Sequence, residues 1–239
     1  MNTVNDTKEH GGLSIRNAAL IAGFGLLVMT FCAPLAHFYF FAQSIVLDDA
    51  AATTENLQSN GNPYLIGVVL LFVTYVMDVI VAWALYWYLR PGQAALALLV
   101  AWARLVYTAL AFVGLAASLG AYDLATAAPA PDVLSGTVLQ SEIMVQISTA
   151  RTIETLALCF FGIHLWFLSL LIWRSVHVPR WLSIVVALAG TSYVVAFLAK
   201  YFAPHLDLGW VLILAIGELV FMLWLLLFGW RVDSKEPNS

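Results

Sequence analysis

Residues 73–110 read VTYVMDVIVAWALYWYLRPGQAALALLVAWARLVYTAL, two long apolar runs joined at Arg90-Pro91-Gly92. Each run is long enough, as an α-helix, to cross a hydrocarbon core of about 30 Å, which takes about 20 residues. The junction has room only for a tight turn, so the runs form an antiparallel hairpin. One acid, Asp78, interrupts the first run and one base, Arg104, the second. Each lies 13 residues from Pro91. At the helical rise, both sit about 20 Å from the turn. They share a depth and can pair if their faces meet. A lone charge at mid-bilayer costs about 3 kcal/mol or more on insertion scales, and pairing offsets much of that cost.

The rest of the chain has the same character. Of 239 residues, 62% are hydrophobic and 10% charged, with a mean hydropathy of +0.90. A soluble domain carries about 25% charged residues. The expected fold is therefore all-α, an integral membrane bundle of six transmembrane helices over 17–41, 64–89, 93–119, 153–173, 181–202 and 208–230, between polar tails at 1–16 and 231–239. Asn60-Gly61-Asn62-Pro63, the segment AAPAPD at 127–132, RSVHVPR at 174–180 and Pro204 supply the remaining breaks. The first run is too long for a signal-peptide core and lacks an A-x-A cleavage box, so it reads as a retained span. The net charge of −4 comes mostly from loops and tails, and no basic face interleaved with aromatics points to nucleic acid. Cys32 and Cys159 fall inside apolar runs, where small buried side chains are expected rather than a disulfide.

Basic residues set an orientation. Lys8, Arg16, Arg90, Arg174, Arg180, Arg231 and Lys235 fall on one side; Arg151 and Lys200 fall on the other. The positive-inside rule then puts both termini in the cytoplasm. Trp83, Tyr86, Trp87, Tyr88, Trp173, Trp181 and Trp230 gather near the same side as an interfacial belt. The two longer opposite loops, 42–63 and 120–152, are acidic. Within the second, DVLSGTVLQSEIMVQIST predicts an interfacial helix capped by Asp132, with Leu134, Val138 and Val145 on one face. A single helix over 133–173 would be about 60 Å long, so a break near residue 150 is expected. No internal repeat points to an inverted-repeat transporter.

Depth counting extends the polar layer. Glu218 lies 13 residues from Arg231, and Tyr193 lies 13 from Arg180. His164 lies 10 from Arg174, about 15 Å deep. The candidate ligand-binding set is Asp78, Arg104 and Glu218, flanked by Tyr107, His164 and Tyr193, with Tyr75 one turn from Asp78. If Asp78 and Arg104 pair, Glu218 is the spare acid and carries a proton or partners a cation or polar ligand. The competing reading is structural: an intramembrane pair that clips helices, a packed Tyr193 and a helix-bridging His164. Nearer the other surface, His37, Arg151, Glu154, Lys200 and His205 form a second layer. There Arg151 and Glu154 can pair at i, i+3, and Pro34 is placed to kink the first span.

Nucleotide-binding glycine loops, zincin signatures and nucleophile elbows do not occur. No cofactor or metal ligand set is expected: His37 and His164 lie at different depths, and His164 and Glu154 are ten residues apart.

DVIVAWALYWYLRP, WARLVYTAL and FFGIHLWFLSLLIWRSVHVPRWLSIVVALAGTSYVV carry a resemblance. The chain resembles the bacterial family catalogued as domain of unknown function 4386 through most of residues 16–230. The matching positions are Asp78, Arg90, Pro91, Arg104, Gly162, His164, Ser175, Pro179 and Arg180. The resemblance implies a bacterial inner (cytoplasmic) membrane protein and no established activity. The two acidic loops lie outside it.

The leading reading is a membrane-embedded module that binds or transports a small molecule or ion. The second is an intramembrane enzyme acting on a lipid or isoprenoid head group, with His164 or Glu218 as acid/base and Arg104 holding the anion. The third is a non-catalytic membrane partner subunit. The expected partners are the bilayer and a small-molecule or lipid ligand.

Overall fold

The computed structural model describes residues 13–126, 136–205 and 213–231. Among these residues every regular element is helical, and six helices are long and apolar enough to cross a membrane. The protein is a multi-pass membrane protein. The extreme tails, the AAPAPD segment with Asp132 and Leu134, and the start of the sixth predicted span lie outside the described residues.

The first span begins with α1 (Ile15–Leu35), capped by Ser14, whose hydroxyl accepts the Asn17 N–H at 3.2 Å. Pro34 offers no N–H, and the chain continues as a π-helical stretch, Ala36–Phe41, and a last turn, α2 (Ala42–Ser44). A short helix, α3 (Ala50–Asn60), is capped by the Asp49 carboxylate. The remaining spans are α4 (Asn62–Leu89), α5 (Ala94–Thr126), α6 (Thr137–Arg174), α7 (Arg180–Phe202) and α8 (Ile216–Leu227), followed by a 3-10 turn, Gly229–Arg231.

Each span packs on the next in sequence, and α8 returns to α1, so the six form a closed ring in the order α1, α4, α5, α6, α7, α8. The two ends of the described chain meet on one face: the Arg16 guanidinium lies 5.2 Å from the centre of the Trp230 ring. The Tyr88 hydroxyl donates to the Gly229 carbonyl at 3.4 Å on the same face. Tyr88 is buried and fastens α4 to the chain end, so it is not part of the interfacial belt.

The break expected near residue 150 is absent. α6 runs unbroken for 38 residues, about 57 Å at the helical rise, and its first part projects beyond the apolar thickness of the ring. The length argument assumed that a helix must end where the bilayer ends. Here the projecting part is housed by protein: Ile143 and Ile147 are buried in a cluster with Leu57, Tyr64 and Ala121, while Val138 and Val145 are exposed. Val138 and Val145, seven residues apart, share the exposed face of this segment. Tyr64 ties the base of this cap by donating to the Ser118 carbonyl at 3.0 Å.

Pro91 and Gly92 make the α4–α5 turn, and Gly92 has φ +73°. A Cβ there meets nothing within 4 Å. Gly92→Ala is therefore expected to cost only the left-handed backbone penalty, about 1–2 kcal/mol, read as a lower unfolding midpoint in mild detergent with no change in ring geometry.

Candidate functional site

The ring axis holds one polar layer, supplied by all six spans. Asp78 on α4, Arg104 on α5 and His164 on α6 are fully enclosed, at 0, 1 and 0% exposure. Arg104 Nη2 lies 2.5 Å from Asp78 Oδ1. The approach is off the hydrogen-bonding direction, and both Asp78 oxygens and Arg104 Nε are left without a hydrogen-bond partner. Tyr107 is one turn along α5 from Arg104, and its hydroxyl approaches Asp78 without completing a hydrogen bond.

His164 is held at both ring nitrogens. Nδ1 lies 3.0 Å from the Val100 carbonyl oxygen, which can only accept, so Nδ1 carries the hydrogen. Nε2 then presents a lone pair to Arg104 Nη1 at 3.4 Å. This assignment gives both ring nitrogens a partner with a neutral imidazole, because a second ring proton would face a guanidinium N–H. Phe161 stacks on His164 at 5.5 Å between ring centres, and its ring centre lies 5.3 Å from the Arg104 guanidinium carbon. Arg104 Nη2 also donates to Met29 Sδ on α1 at 3.9 Å.

The other half of the layer comes from α7 and α8. The Tyr193 hydroxyl donates to Glu218 Oε1 at 2.7 Å, and both residues are half-buried. Glu218 and Arg104 border the same small cavity, closed otherwise by Leu26, Leu85, Leu165, Leu168, Val186 and Phe221. The free space for the centre of a water molecule is about 10 Å³, close to the minimum that one ordered water needs. No group of three or more His, Cys, Asp or Glu side chains that could hold a metal comes together among the described residues.

The two directions out of this layer differ. Toward the face where the chain ends meet, Leu85, Leu168, Val186 and Phe221 fill the axis with apolar side chains. In the other direction lie Tyr107 and Tyr75, both buried and each one helical turn from Arg104 and Asp78 respectively. Glu154 on α6 pairs at 2.8 Å with His37 Nε2, in the π-helical stretch after α1. Since α1 and α6 are not neighbours in the ring, this pair reaches across its mouth. The partner expected for Glu154 was Arg151. In a straight helix these two share a face, but His37 draws the carboxylate inward, and Arg151 lies exposed with its carbonyl accepting from Thr155. Lys200 donates to Thr155 on the same rim at 3.0 Å.

Of the six predicted site residues, Asp78, Arg104 and His164 form one contact group with Tyr107 one turn along α5, Tyr193 and Glu218 form a second, and Arg104 and Glu218 border one cavity. Sequence reasoning missed Met29, Phe161 and the Val100 carbonyl. The first two are ordinary members of apolar runs and the third is a backbone atom, so none carried a signal.

The family model for Domain of unknown function (DUF4386) matches residues 21–229. An uncharacterised protein of Archaeoglobus fulgidus is 28% identical over 175 residues, covering 73% of this chain and 91% of that protein. No solved structure matches the chain significantly. With a match that spans all six membrane helices, the chain belongs to the DUF4386 family.

Proposed function

We propose that this protein is an ion-binding, transport-like membrane module, and that the ion is a proton taken by Glu218. The observation that carries this reading is the position of Glu218: a carboxylate on the axis, on a water-sized cavity that it shares with Arg104, and hydrogen-bonded to Tyr193. The charged and titratable groups around it are Tyr193 from α7, Arg104 from α5 and Asp78 from α4. Asp78, Arg104 and His164 form the fixed part: an ion pair that neutralises itself, plus an imidazole engaged at both nitrogens. That engagement leaves His164 without a free nitrogen to act as acid or base. Glu218 is the group left to change state.

The surroundings suit an occluded state. Apolar side chains close one direction, and the His37–Glu154 pair bridges the other above Tyr75 and Tyr107. Alternating access in such a ring requires the two closures to open in turn. Of the described basic residues away from the axis, Arg16, Arg90, Arg174, Arg180 and Arg231 lie on the chain-end face, against Arg151 and Lys200 opposite. This supports both termini in the cytoplasm.

The test is infrared difference spectroscopy of protein in lipid, between acidic and alkaline buffer. The expected result is a carboxylic-acid C=O band that appears on acidification and is absent in Glu218→Gln. The same variant is expected to abolish potential-driven proton entry into proteoliposomes carrying a pH-sensitive dye. A wild type without that band, or a band and flux retained in Glu218→Gln, overturns the reading.

A further inference from the structure

The chain-end face carries a groove of about 810 Å³ unrelated to the axial layer. It is formed by the α6–α7 loop and the α4–α5 turn, with Gln93, Trp173, Arg174, Ser175 and Arg180 on its walls. Pocket volumes of about 300–1,000 Å³ are those that hold small molecules or head groups. Arg174 closes α6 and Arg180 opens α7, so the two ends of the short loop bring two arginines to one opening. Val178, buried at 4% exposure, pins the loop beneath them, and Pro179 fixes the entry into α7.

The chemistry of the walls is one-sided. Arg180 lies with its guanidinium carbon 5.6 Å from the centre of the Trp173 ring, which holds its plane and leaves its N–H fork available. Ser175 Oγ accepts the His177 N–H at 3.2 Å and keeps its own proton to donate. Gln93 contributes an amide from the neighbouring turn. Among the described residues neither Arg174 nor Arg180 has a carboxylate partner, and none of the described residues of this face is acidic. Two arginine forks, a hydroxyl and an amide facing one opening match a tetrahedral oxyanion.

The level of the groove says where such an anion is met. Trp173 and Trp181 flank it at 47 and 51% exposure, and Val176 at the loop tip is 87% exposed. Half-exposed tryptophans and a bare apolar tip beside arginines belong at the head-group level of a bilayer.

We propose that this groove is a binding site for a phosphate group, presented at the membrane surface by an anionic phospholipid. Arg174 and Arg180 take the phosphate oxygens, Ser175 and Gln93 complete the donor set, and Trp173 and Val176 rest against the acyl–glycerol region.

The test uses the full chain in neutral detergent and thermal unfolding with three probes: short-chain phosphatidylglycerol, phosphatidylcholine of the same chain length, and inorganic phosphate. The expected result is a rise in midpoint with phosphatidylglycerol and none with phosphatidylcholine. Most of that rise is lost in Arg174→Gln/Arg180→Gln, part of it is kept in Arg174→Lys/Arg180→Lys, and all of it in Lys200→Gln on the opposite face. If inorganic phosphate reproduces the rise and its loss in the glutamine pair, the site stands and its phosphate comes from solution. No rise in the wild type, or a rise indifferent to the arginine variants, overturns the proposal.

Discussion

Replacing Arg104 with glutamine is expected to destabilise the protein by about 3–5 kcal/mol, the cost of breaking a buried charge pair from one side. Asp78 is left at 0% exposure with the guanidinium it pairs with gone. His164 Nε2 loses its donor, and Met29 loses its tie from α1 to α5. No bulk water reaches this depth to replace any of them. Asp78→Asn is expected to cost less. The Arg104 guanidinium keeps its contact with His164, and the Glu218 carboxyl still borders the cavity that Arg104 lines. The double variant, Asp78→Asn with Arg104→Gln, removes both charges and is expected to be less damaged than the sum of the singles, with a coupling of about 1–3 kcal/mol. Denaturant unfolding of the four proteins in one detergent measures all three quantities. An Arg104→Gln cost below about 1 kcal/mol, or strict additivity, would mean that the two charges do not hold the ring together.

The all-helical six-span fold was legible because its signals are one-dimensional. Span length and turn residues need no knowledge of neighbours, and each of the six spans begins or ends within two residues of the sequence reading. The depth of the polar layer was legible for the same reason: rise per residue is fixed, so Asp78, Arg104, Tyr193 and Glu218 could be levelled by counting. Rotation and neighbour order were not. Nothing in the sequence said that α8 closes on α1, that Glu218 shares a cavity with Arg104, or that His37 reaches across the mouth to Glu154. The misplaced break near residue 150 has a specific cause. Depth arguments treat lipid as the only apolar surroundings, whereas α3 and the far end of α5 cover the projecting turns of α6 with protein.

Gly162 and Gly190 illustrate a constraint that counting could not supply, and substituting either is expected to disturb the site from a distance. They face each other where α6 and α7 cross: a Cβ built on either glycine falls 2.6 Å from the carbonyl oxygen of the other. A clash with a side-chain tip can be relieved by a rotamer change. A clash with a backbone carbonyl cannot, so one helix must move. Gly162→Ala is therefore expected to cost about 1–3 kcal/mol, the usual range for overpacking a tight contact. Close approach through small residues is also what drives association of helices in lipid, where no hydrophobic effect separates one apolar surface from another. The same alanine would crowd Tyr193 and Val194 directly, with Tyr193 Cβ at 3.2 Å. Moving α7 carries the Tyr193 hydroxyl away from Glu218, so the carboxyl band assigned to Glu218 is expected to shift in frequency while the Asp78–Arg104 contact, built on α4 and α5, stays. Gly120→Ala is the matched control. Its Cβ would rest 3.5 Å from the Gln146 side chain, ordinary contact, and alanine gains up to about 1 kcal/mol of helix propensity over glycine. A Gly162→Ala protein as stable as Gly120→Ala, with an unshifted band, would mean that the α6–α7 seam has slack, and that Tyr193 reaches Glu218 through side-chain freedom rather than through a fixed distance between two helices.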